Sequence, residues 1–316
     1  MTDVALQLED LEVSVDRPSG RVPVVTGVNL SVFVGEAVGV VGESGCGKSL
    51  TLRAASGILP RGAEISGGSV TYPSSTTGAP RIGIVFQDPA GALNPTRRVG
   101  DQIADGIEVA DGLSRKQARE AAISLMTEVG IPDPERRAKM WPHELSGGLR
   151  QRVVIAMALS SRPDVLLCDE PTTALDVTVQ DQILGLLDRL RRERGMALVF
   201  VTHDLAVVAT LCTRVAVLYA GEIVELGDIK TVVNEPRHAY SKGLLDAGVT
   251  VGEEAIEFQP IPGQPPEPET FDELCRFRYR CALRIDRCDS TPVELVEVGP
   301  AHLSNCLRAP EIGADR

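Results

Sequence analysis

The sequence of 316 residues predicts an α/β fold with a small antiparallel β-layer at its start. Three apolar runs of the kind that forms buried parallel strands lie at residues 37–41, 165–168 and 197–201. Apolar and polar positions alternate across residues 3–41, with turn residues at Pro18-Ser19-Gly20, as expected of antiparallel strands. With 43% hydrophobic residues, the chain is able to bury a sizeable core.

Helical patterns and a change of composition indicate how the chain is organised. Ser114 and Gln117 form a capping box ahead of a periodic helix, and a second helix follows Asp176. We expect residues 88–163 to form a mainly helical subdomain within a first domain of residues 1–235. Beyond it lies an extension of residues 236–316, in which a proline-rich connector from Pro260 to Pro268 precedes a small tail that carries cysteines.

Charge and hydropathy exclude several classes of protein. A net charge of −12 opposes binding to a phosphate backbone, so we expect no nucleic acid as the main partner. No uninterrupted apolar run reaches the roughly 18 residues that a membrane span needs. The start, Met1-Thr2-Asp3, lacks the basic stretch and apolar run of an export signal. These features predict a chain that stays in the cytosol.

A glycine-rich turn follows the first buried strand and matches the P-loop pattern. Its glycines allow backbone N–H groups to converge on phosphate oxygens, and the helix start that follows adds positive potential. We expect Lys48 to reach the β- and γ-phosphates of a nucleoside triphosphate and Ser49 to ligate Mg²⁺. We interpret Cys46 as a small filler, because nothing beside it would lower its pKa. The turn consists of Gly42, Glu43, Ser44, Gly45, Cys46, Gly47, Lys48 and Ser49.

Two carboxylates stand at the end of the buried strand over residues 165–168, where α/β folds present their ligands. Asp169 suits the Mg²⁺ shell, and Glu170 is placed to polarise an attacking water as a general base. Together with the P-loop, the pair predicts hydrolysis of a nucleoside triphosphate.

A third motif opens a helix just upstream of the carboxylates: Leu145-Ser146-Gly147-Gly148-Leu149-Arg150-Gln151-Arg152. The N–H groups at its start are able to bind phosphate, yet residues 42–49 already hold one. The motif resembles the signature of ABC ATPases. The resemblance implies that two subunits pair head to tail, so that Ser146, Gly147 and Gly148 of one subunit close on the γ-phosphate held by the other.

Further motifs resemble those of ABC ATPases, in the same order, over residues 5–235. Gln87 resembles the Q-loop glutamine, which reaches Mg²⁺ or the lytic water and senses the membrane partner. Ala174-Leu175-Asp176 resembles the D-loop, and His203 resembles the switch histidine that contacts the γ-phosphate. The stretch comparable to the usual adenine-stacking site, residues 13–16, has no aromatic residue, so no adenine contact is assigned.

Two segments narrow the resemblance to the dipeptide, oligopeptide and nickel importer ATPases: residues 88–95, and residues 238–245 with Ala239 where proline is usual. This implies an ATPase peripheral to the cytoplasmic face of the membrane, which drives uptake of di- and oligopeptides. The implied partners are a second ATPase subunit, identical or paralogous, two integral membrane permease subunits and, indirectly, a solute-binding protein. Nickel or another small solute is the alternative cargo. A soluble ABC ATPase of DNA repair or translation is the alternative class; such proteins commonly carry coiled coils, basic surfaces or two cassettes.

Four of the seven cysteines lie in the extension, spaced C-x5-C-x6-C-x17-C. Four thiolates suit either a 4Fe–4S cluster or tetrahedral Zn²⁺, and these intervals exceed the paired C-x2-C of common zinc sites. In the importers that the chain resembles, a similar quartet is associated with an iron–sulfur cluster, which we favour over zinc; free cysteines are the remaining alternative. The quartet is Cys275, Cys281, Cys288 and Cys306.

Overall fold

The computed structural model describes residues 3–74, 80–173, 175–248 and 261–312. The strands of these ranges are β1 Val4–Arg17, β2 Gly20–Phe33, β3 Ala37–Val41, β4 Ala63–Thr71, β5 Ile82–Val85, β6 Val165–Asp169, β7 Ala197–Thr202, β8 Arg214–Tyr219, β9 Glu222–Asp228, β10 Val296–Gly299 and β11 His302–Ser304. The helices are α1 Lys48–Ser56, α2 Pro89–Ala92, α3 Val99–Asp111, α4 Arg115–Glu128, α5 Pro134–Arg137, α6 Gly147–Leu159, α7 Val177–Arg194, α8 Leu205–Leu211, α9 Ile229–Asn234, α10 Ala239–Gly248 and α11 Ala309–Ile312.

The chain divides into two compact units, each assembled from several segments. The first unit comprises Met1–Ala5, Val32–Glu36 and Tyr72–Val199, and the second comprises Leu6–Ser31, Ala37–Thr71 and Phe200–Arg316. Strand β7 begins in the first unit and ends in the second. Sequence neighbours therefore do not always share a unit.

In the first unit, strands β5 and β6 pair in parallel, and all five residues of β6 are buried. This confirms the predicted buried strand at residues 165–168. Helices α2 to α6 lie between these two strands in the sequence, and α3 packs against α4 and α6. The predicted capping box is present at the start of α4, where the Ser114 N–H donates to Gln117 Oε1 over 3.1 Å and the Gln117 N–H faces Ser114 Oγ.

In the second unit, strand β3 is buried along its whole length and pairs in parallel with β8. Strands β8, β9, β11 and β10 continue as antiparallel neighbours. The extension thus adds strands β10 and β11 to the sheet that carries the phosphate-binding loop. Sequence patterns did not anticipate this addition.

The predicted antiparallel layer is present as a three-stranded sheet in the order β2-β1-β4. Strand β4 was not predicted, because it contains Gly67 and Gly68 and its apolar and polar residues do not alternate regularly. Gly68 has a φ of +71°, and a Cβ there would lie 2.2 Å from the Asp10 carbonyl oxygen. Glycine is therefore required where β1 bulges between Glu9 and Glu12.

Helix α7 begins and ends at the residues that the sequence indicates. The helix predicted after Asp176 is α7; the Asp176 side chain accepts from the Val179 N–H over 3.0 Å, and the helix ends at Gly195. Residues 261–267 of the proline-rich connector form neither helix nor strand, whereas Pro260 lies outside the described residues. Within the described residues, no helix combines the length and apolar character needed to cross a membrane.

Candidate nucleotide-binding and hydrolysis site

The phosphate-binding loop lies between β3 and α1 in the second unit, and its glycines serve two purposes. A Cβ on Gly42 would lie 2.1 Å from the Leu218 carbonyl oxygen, so no side chain fits there. Gly45 and Gly47 have φ values of +81° and +105°, in the left-handed region that favours glycine. Ser44 and Gly45 are exposed, which leaves this part of the loop accessible to a phosphate.

Lys48 is held at this loop by main-chain acceptors. Its side chain is buried, and Nζ donates to the carbonyl oxygens of Gly42 over 2.7 Å and Glu43 over 2.9 Å. The ammonium group is thus fixed beside the backbone that would surround a phosphate. Ser49 is the second residue of α1 and is half-buried; its role as a Mg²⁺ ligand stays a prediction.

Cys46 is a buried member of the loop. Its side chain is 2% exposed, and burial raises the pKa of its thiol. The carbonyl oxygen of Cys46 accepts from the Gly221 N–H over 2.9 Å, which ties the loop to the β8–β9 hairpin. These observations agree with its interpretation as a filler.

The two predicted carboxylates lie at the end of β6 in the first unit. Asp169 is the last residue of the strand and is buried. Glu170 has a φ of +46°, which is uncommon for a residue other than glycine and recurs at functional sites. Its Oε2 accepts from Thr173 Oγ1 over 2.9 Å and from Gln87 Nε2 over 3.3 Å.

The structure therefore brings Gln87 and Glu170 together, although the sequence analysis singled them out separately. Thr173 was missed; a hydroxyl three residues after the acidic pair, in a turn, was the available signal. Because two donors meet one carboxylate oxygen, the Glu170 side chain is oriented before any nucleotide binds.

The signature motif begins α6, also in the first unit. Ser146 is its N-cap, with Oγ 3.4 Å from the Leu149 N–H. A Cβ on Gly148 would lie 2.9 Å from a Val179 methyl group of α7. Gly148 thus allows close packing of the two helix starts, and Asp176 caps α7 at this point. Ala174 of the predicted D-loop lies outside the described residues.

His203 follows β7 in the second unit and is exposed. The turn that carries it is held by the residues on either side of His203: the Asp204 N–H donates to Thr202 Oγ1 over 3.2 Å, and Asp204 caps α8.

The stretch at residues 13–16 lies in β1, where Val13 is completely buried. We therefore assign no adenine contact to residues 13–16.

The four cysteines of the extension line one apolar pocket in the second unit, together with His238 and Phe277. Burial raises the pKa of Cys275 to about 12 and also raises the pKa values of Cys281 and Cys306. Among the described residues, however, no three His, Cys, Asp or Glu side chains are arranged to hold a metal ion. The predicted zinc or iron–sulfur site is therefore not supported by the side-chain arrangement.

Comparison with known proteins agrees with this fold. The family model "ABC transporter" matches residues 25–173. The solved structure "Dimeric Structure of MJ0796, a Bacterial ABC Transporter Cassette" is 28% identical, with a TM-score of 0.62 over 71% of this chain and 98% of that chain. The cbiO1 protein of Clostridium perfringens, part of the cbiONQ transporter complex, is 30% identical, with a TM-score of 0.61 over 73% and 90%. Fold and site together define an ABC ATPase cassette.

The C-terminal part of the chain also matches a known family. Residues 224–288 match the family model "Oligopeptide/dipeptide transporter, C-terminal region". The "Oligopeptide transport ATP-binding protein OppD" of Salmonella typhimurium is 42% identical over 98% of this chain and 95% of its own length. The "Dipeptide transport ATP-binding protein DppD" of Bacillus subtilis is 41% identical over 95% and 93%. The chain belongs to this family of oligopeptide and dipeptide transport ATP-binding proteins.

Proposed function

We propose that this chain hydrolyses ATP at the cytoplasmic face of the membrane to drive uptake of di- and oligopeptides. The observation that carries the proposal is the similarity to peptide-transport ATP-binding proteins over both the cassette and the C-terminal region. The phosphate loop and Glu170 are both intact, which supports a hydrolytic role and not a purely structural one.

The oxygen donors predicted for Mg²⁺ suit a hard cation. They are the hydroxyl of Ser49, the amide oxygen of Gln87 and the carboxylate of Asp169, all of the ligand type that Mg²⁺ prefers. When bound with ATP, Mg²⁺ would neutralise charge on the β- and γ-phosphates. Lys48 adds a fixed positive charge beside the same phosphates.

Glu170 acts as the general base in this mechanism. Thr173 and Gln87 hold its carboxylate in one orientation, so that it accepts a proton from the attacking water as the water oxygen bonds to the γ-phosphorus. Attack breaks the bond between the γ-phosphorus and the bridging oxygen, and ADP leaves. His203 would contact the γ-phosphate and report its loss.

Two cassettes share each ATP in this proposal. Ser146, Gly147 and Gly148 of one subunit would close on the γ-phosphate held by the loop of another, identical or paralogous, subunit. The N–H groups at the start of α6 support this use, because the P-loop supplies a separate phosphate site within the same chain. Two permease subunits would carry the movement into the membrane, and a solute-binding protein would deliver the peptide.

The experiment is a transport assay with the complete importer in proteoliposomes. ATP inside the vesicles should drive accumulation of a labelled oligopeptide supplied with the binding protein, and Glu170→Gln should abolish it. Nickel is the competing cargo, because the same family resemblance includes nickel importers. Accumulation of nickel and not of di- or oligopeptides would refute the assignment of cargo, and ATP-independent uptake would refute the assignment of function.

We also propose that the cysteine quartet holds a 4Fe–4S cluster. All four thiols line a single pocket, although no three His, Cys, Asp or Glu side chains of the described residues are arranged to hold a metal ion. Four thiolates are the ligand set of iron–sulfur clusters, and the intervals between these cysteines exceed the paired C-x2-C of common zinc sites. The Nε2 atom of His238, buried beside this pocket without a hydrogen-bond partner among the described residues, also favours an occupant.

Metal analysis of the anaerobically purified chain tests this second proposal. The expected result is about four irons and four sulfides per chain. Cys281→Ser should lower the iron content and Cys212→Ser should not, because Cys212 is buried next to α8 and outside the pocket. Stoichiometric zinc without iron, or neither metal, would contradict the cluster.

A further inference from the structure

The C-terminal extension contacts the phosphate-binding loop directly, within the second unit. Arg280 donates to both carboxylate oxygens of Glu43, over 2.6 and 2.9 Å. The guanidinium is also held by the extension itself, because its Nε donates to the Pro262 carbonyl oxygen over 2.8 Å. The side chains of Arg280 and Glu43 are 6% and 27% exposed, so this pair is partly removed from water. Bidentate, partly desolvated pairs of this kind are stronger than surface ion pairs.

A second contact reaches the backbone of the same loop residue. The Glu43 N–H donates to the hydroxyl of Tyr240 over 2.8 Å. Tyr240 is fully buried, and its ring lies 4.6 Å from that of Tyr219 and 5.4 Å from that of Phe277. Its hydroxyl is therefore held in place by packing of the ring against these two aromatic neighbours.

Both contacts begin next to the cysteine pocket. Arg280 immediately precedes Cys281, and Phe277 lines the pocket while touching Tyr240. A neighbouring arginine, Arg276, donates to the Ala220 carbonyl oxygen over 2.6 Å, directly before the glycine whose N–H binds Cys46. Arg280 and Tyr240 of the extension thus bind the phosphate-binding loop, and Arg276 binds the hairpin that contacts the same loop.

The backbone conformation at Glu43 determines where Lys48 is held. The carbonyl oxygens of Gly42 and Glu43 fix the ammonium of Lys48. Any rotation of the Glu43 peptide would therefore move both the lysine and the N–H groups expected to face phosphate.

We propose that Arg280 and Tyr240 are positioning residues which hold Glu43, so that the C-terminal extension sets the affinity of the phosphate-binding loop for ATP. This inference rests on the proposed ATPase function and adds to it a role for the extension. Neither residue needs to touch the nucleotide, because each acts through Glu43.

Binding of ATP with Mg²⁺ to the full-length chain, made unable to turn over by Glu170→Gln, is the direct test. Arg280→Ala should weaken binding about tenfold, a typical size for coupling between a binding site and a group that acts on it through another residue. Arg280→Lys should weaken it less, because lysine keeps the charge and loses the second hydrogen bond. The matched control is Arg284→Ala: Arg284 pairs in the same way with Asp289, with both side chains 41% exposed, and should leave binding unchanged.

Tyr240→Phe removes one hydroxyl and keeps the ring, so it tests the same inference with little risk to folding. It should weaken ATP binding several-fold, whereas Tyr279→Phe, at a ring that is 69% exposed, should not. Combination with Glu43→Gln supplies the readout that a general structural role would not move. If Arg280 acts through Glu43, Arg280→Ala should cost much less affinity in the Glu43→Gln background.

Wild-type affinity in both Arg280→Ala and Tyr240→Phe would overturn the inference while leaving the ATPase function intact. An equal loss with and without Glu43→Gln would also overturn it, as would a loss that only parallels a fall in melting temperature. Failure of the parent chain to bind ATP at all would instead remove the proposed function itself.

Discussion

Gly42→Ala adds one methyl group at the point where the phosphate-binding loop leaves β3. The new Cβ would lie 2.1 Å from the Leu218 carbonyl oxygen and 2.8 Å from Cys46 Sγ. The first distance is more than about 1 Å short of van der Waals contact, and the obstacle is backbone in a buried strand. We expect a cost of about 3 kcal/mol, because overpacking of this kind displaces main chain.

The measurements are thermal unfolding and ATP binding. For a chain of this size about 1 kcal/mol corresponds to about 2 °C, so the melting temperature should fall by about 6 °C. ATP affinity should fall at least about tenfold, or 1.4 kcal/mol, since Lys48 depends on the carbonyl oxygen of residue 42.

Gly185→Ala is the matched control for the added methyl group. Gly185 is exposed within α7, and a Cβ there would meet nothing within 4 Å. Alanine should stabilise the helix by about 0.5–1 kcal/mol and raise the melting temperature, with no change in ATP affinity. Wild-type stability and affinity in Gly42→Ala would refute the reasoning about this contact.

Three further changes test other parts of the structure. Thr173→Ala should lower kcat several-fold with little change in KM, because it removes a donor to Glu170; an unchanged kcat would contradict that role. Ser114→Ala should cost about 1 kcal/mol in chemical unfolding through loss of the α4 cap, and equal stability would contradict it. The pKa of Asp105 is lowered from 3.8, first by its hydrogen bond from Arg97, so its pairing stabilises the chain above that value and is lost as pH falls through the lowered value. Asp105→Asn should therefore cost about 0.5 kcal/mol at neutral pH and less near pH 3, as followed by unfolding at several pH values; a cost independent of pH would contradict the assignment.

Motifs that rest on backbone geometry were predictable from the sequence. The P-loop glycines, the acidic pair at the end of a buried strand and the Ser114 capping box each depend on residues close together in the chain. Local pattern is sufficient for such features, because the physical constraint acts within a few residues.

Contacts between distant residues were not predictable in the same way. Gln87 and Glu170 are 83 positions apart, and Arg280 and Glu43 are 237 apart. Only the folded chain brings such side chains within hydrogen-bond distance. The cysteine quartet is an example in which spacing alone was not sufficient. The spacing of the four cysteines predicted a set of metal ligands, whereas in the structure their side chains line a pocket without the arrangement needed to hold a metal ion.

The central claim is that each ATP is bound by the loop of one subunit and completed by the signature motif of another. Lys48→Ala and Ser146→Arg separate these two roles when ATP binding to the isolated chain and turnover by the complete importer are measured side by side. Both changes should reduce turnover at least tenfold, or about 1.4 kcal/mol, and only Lys48→Ala should abolish binding to the isolated chain. Equal loss of binding in the isolated Ser146→Arg chain would contradict the claim.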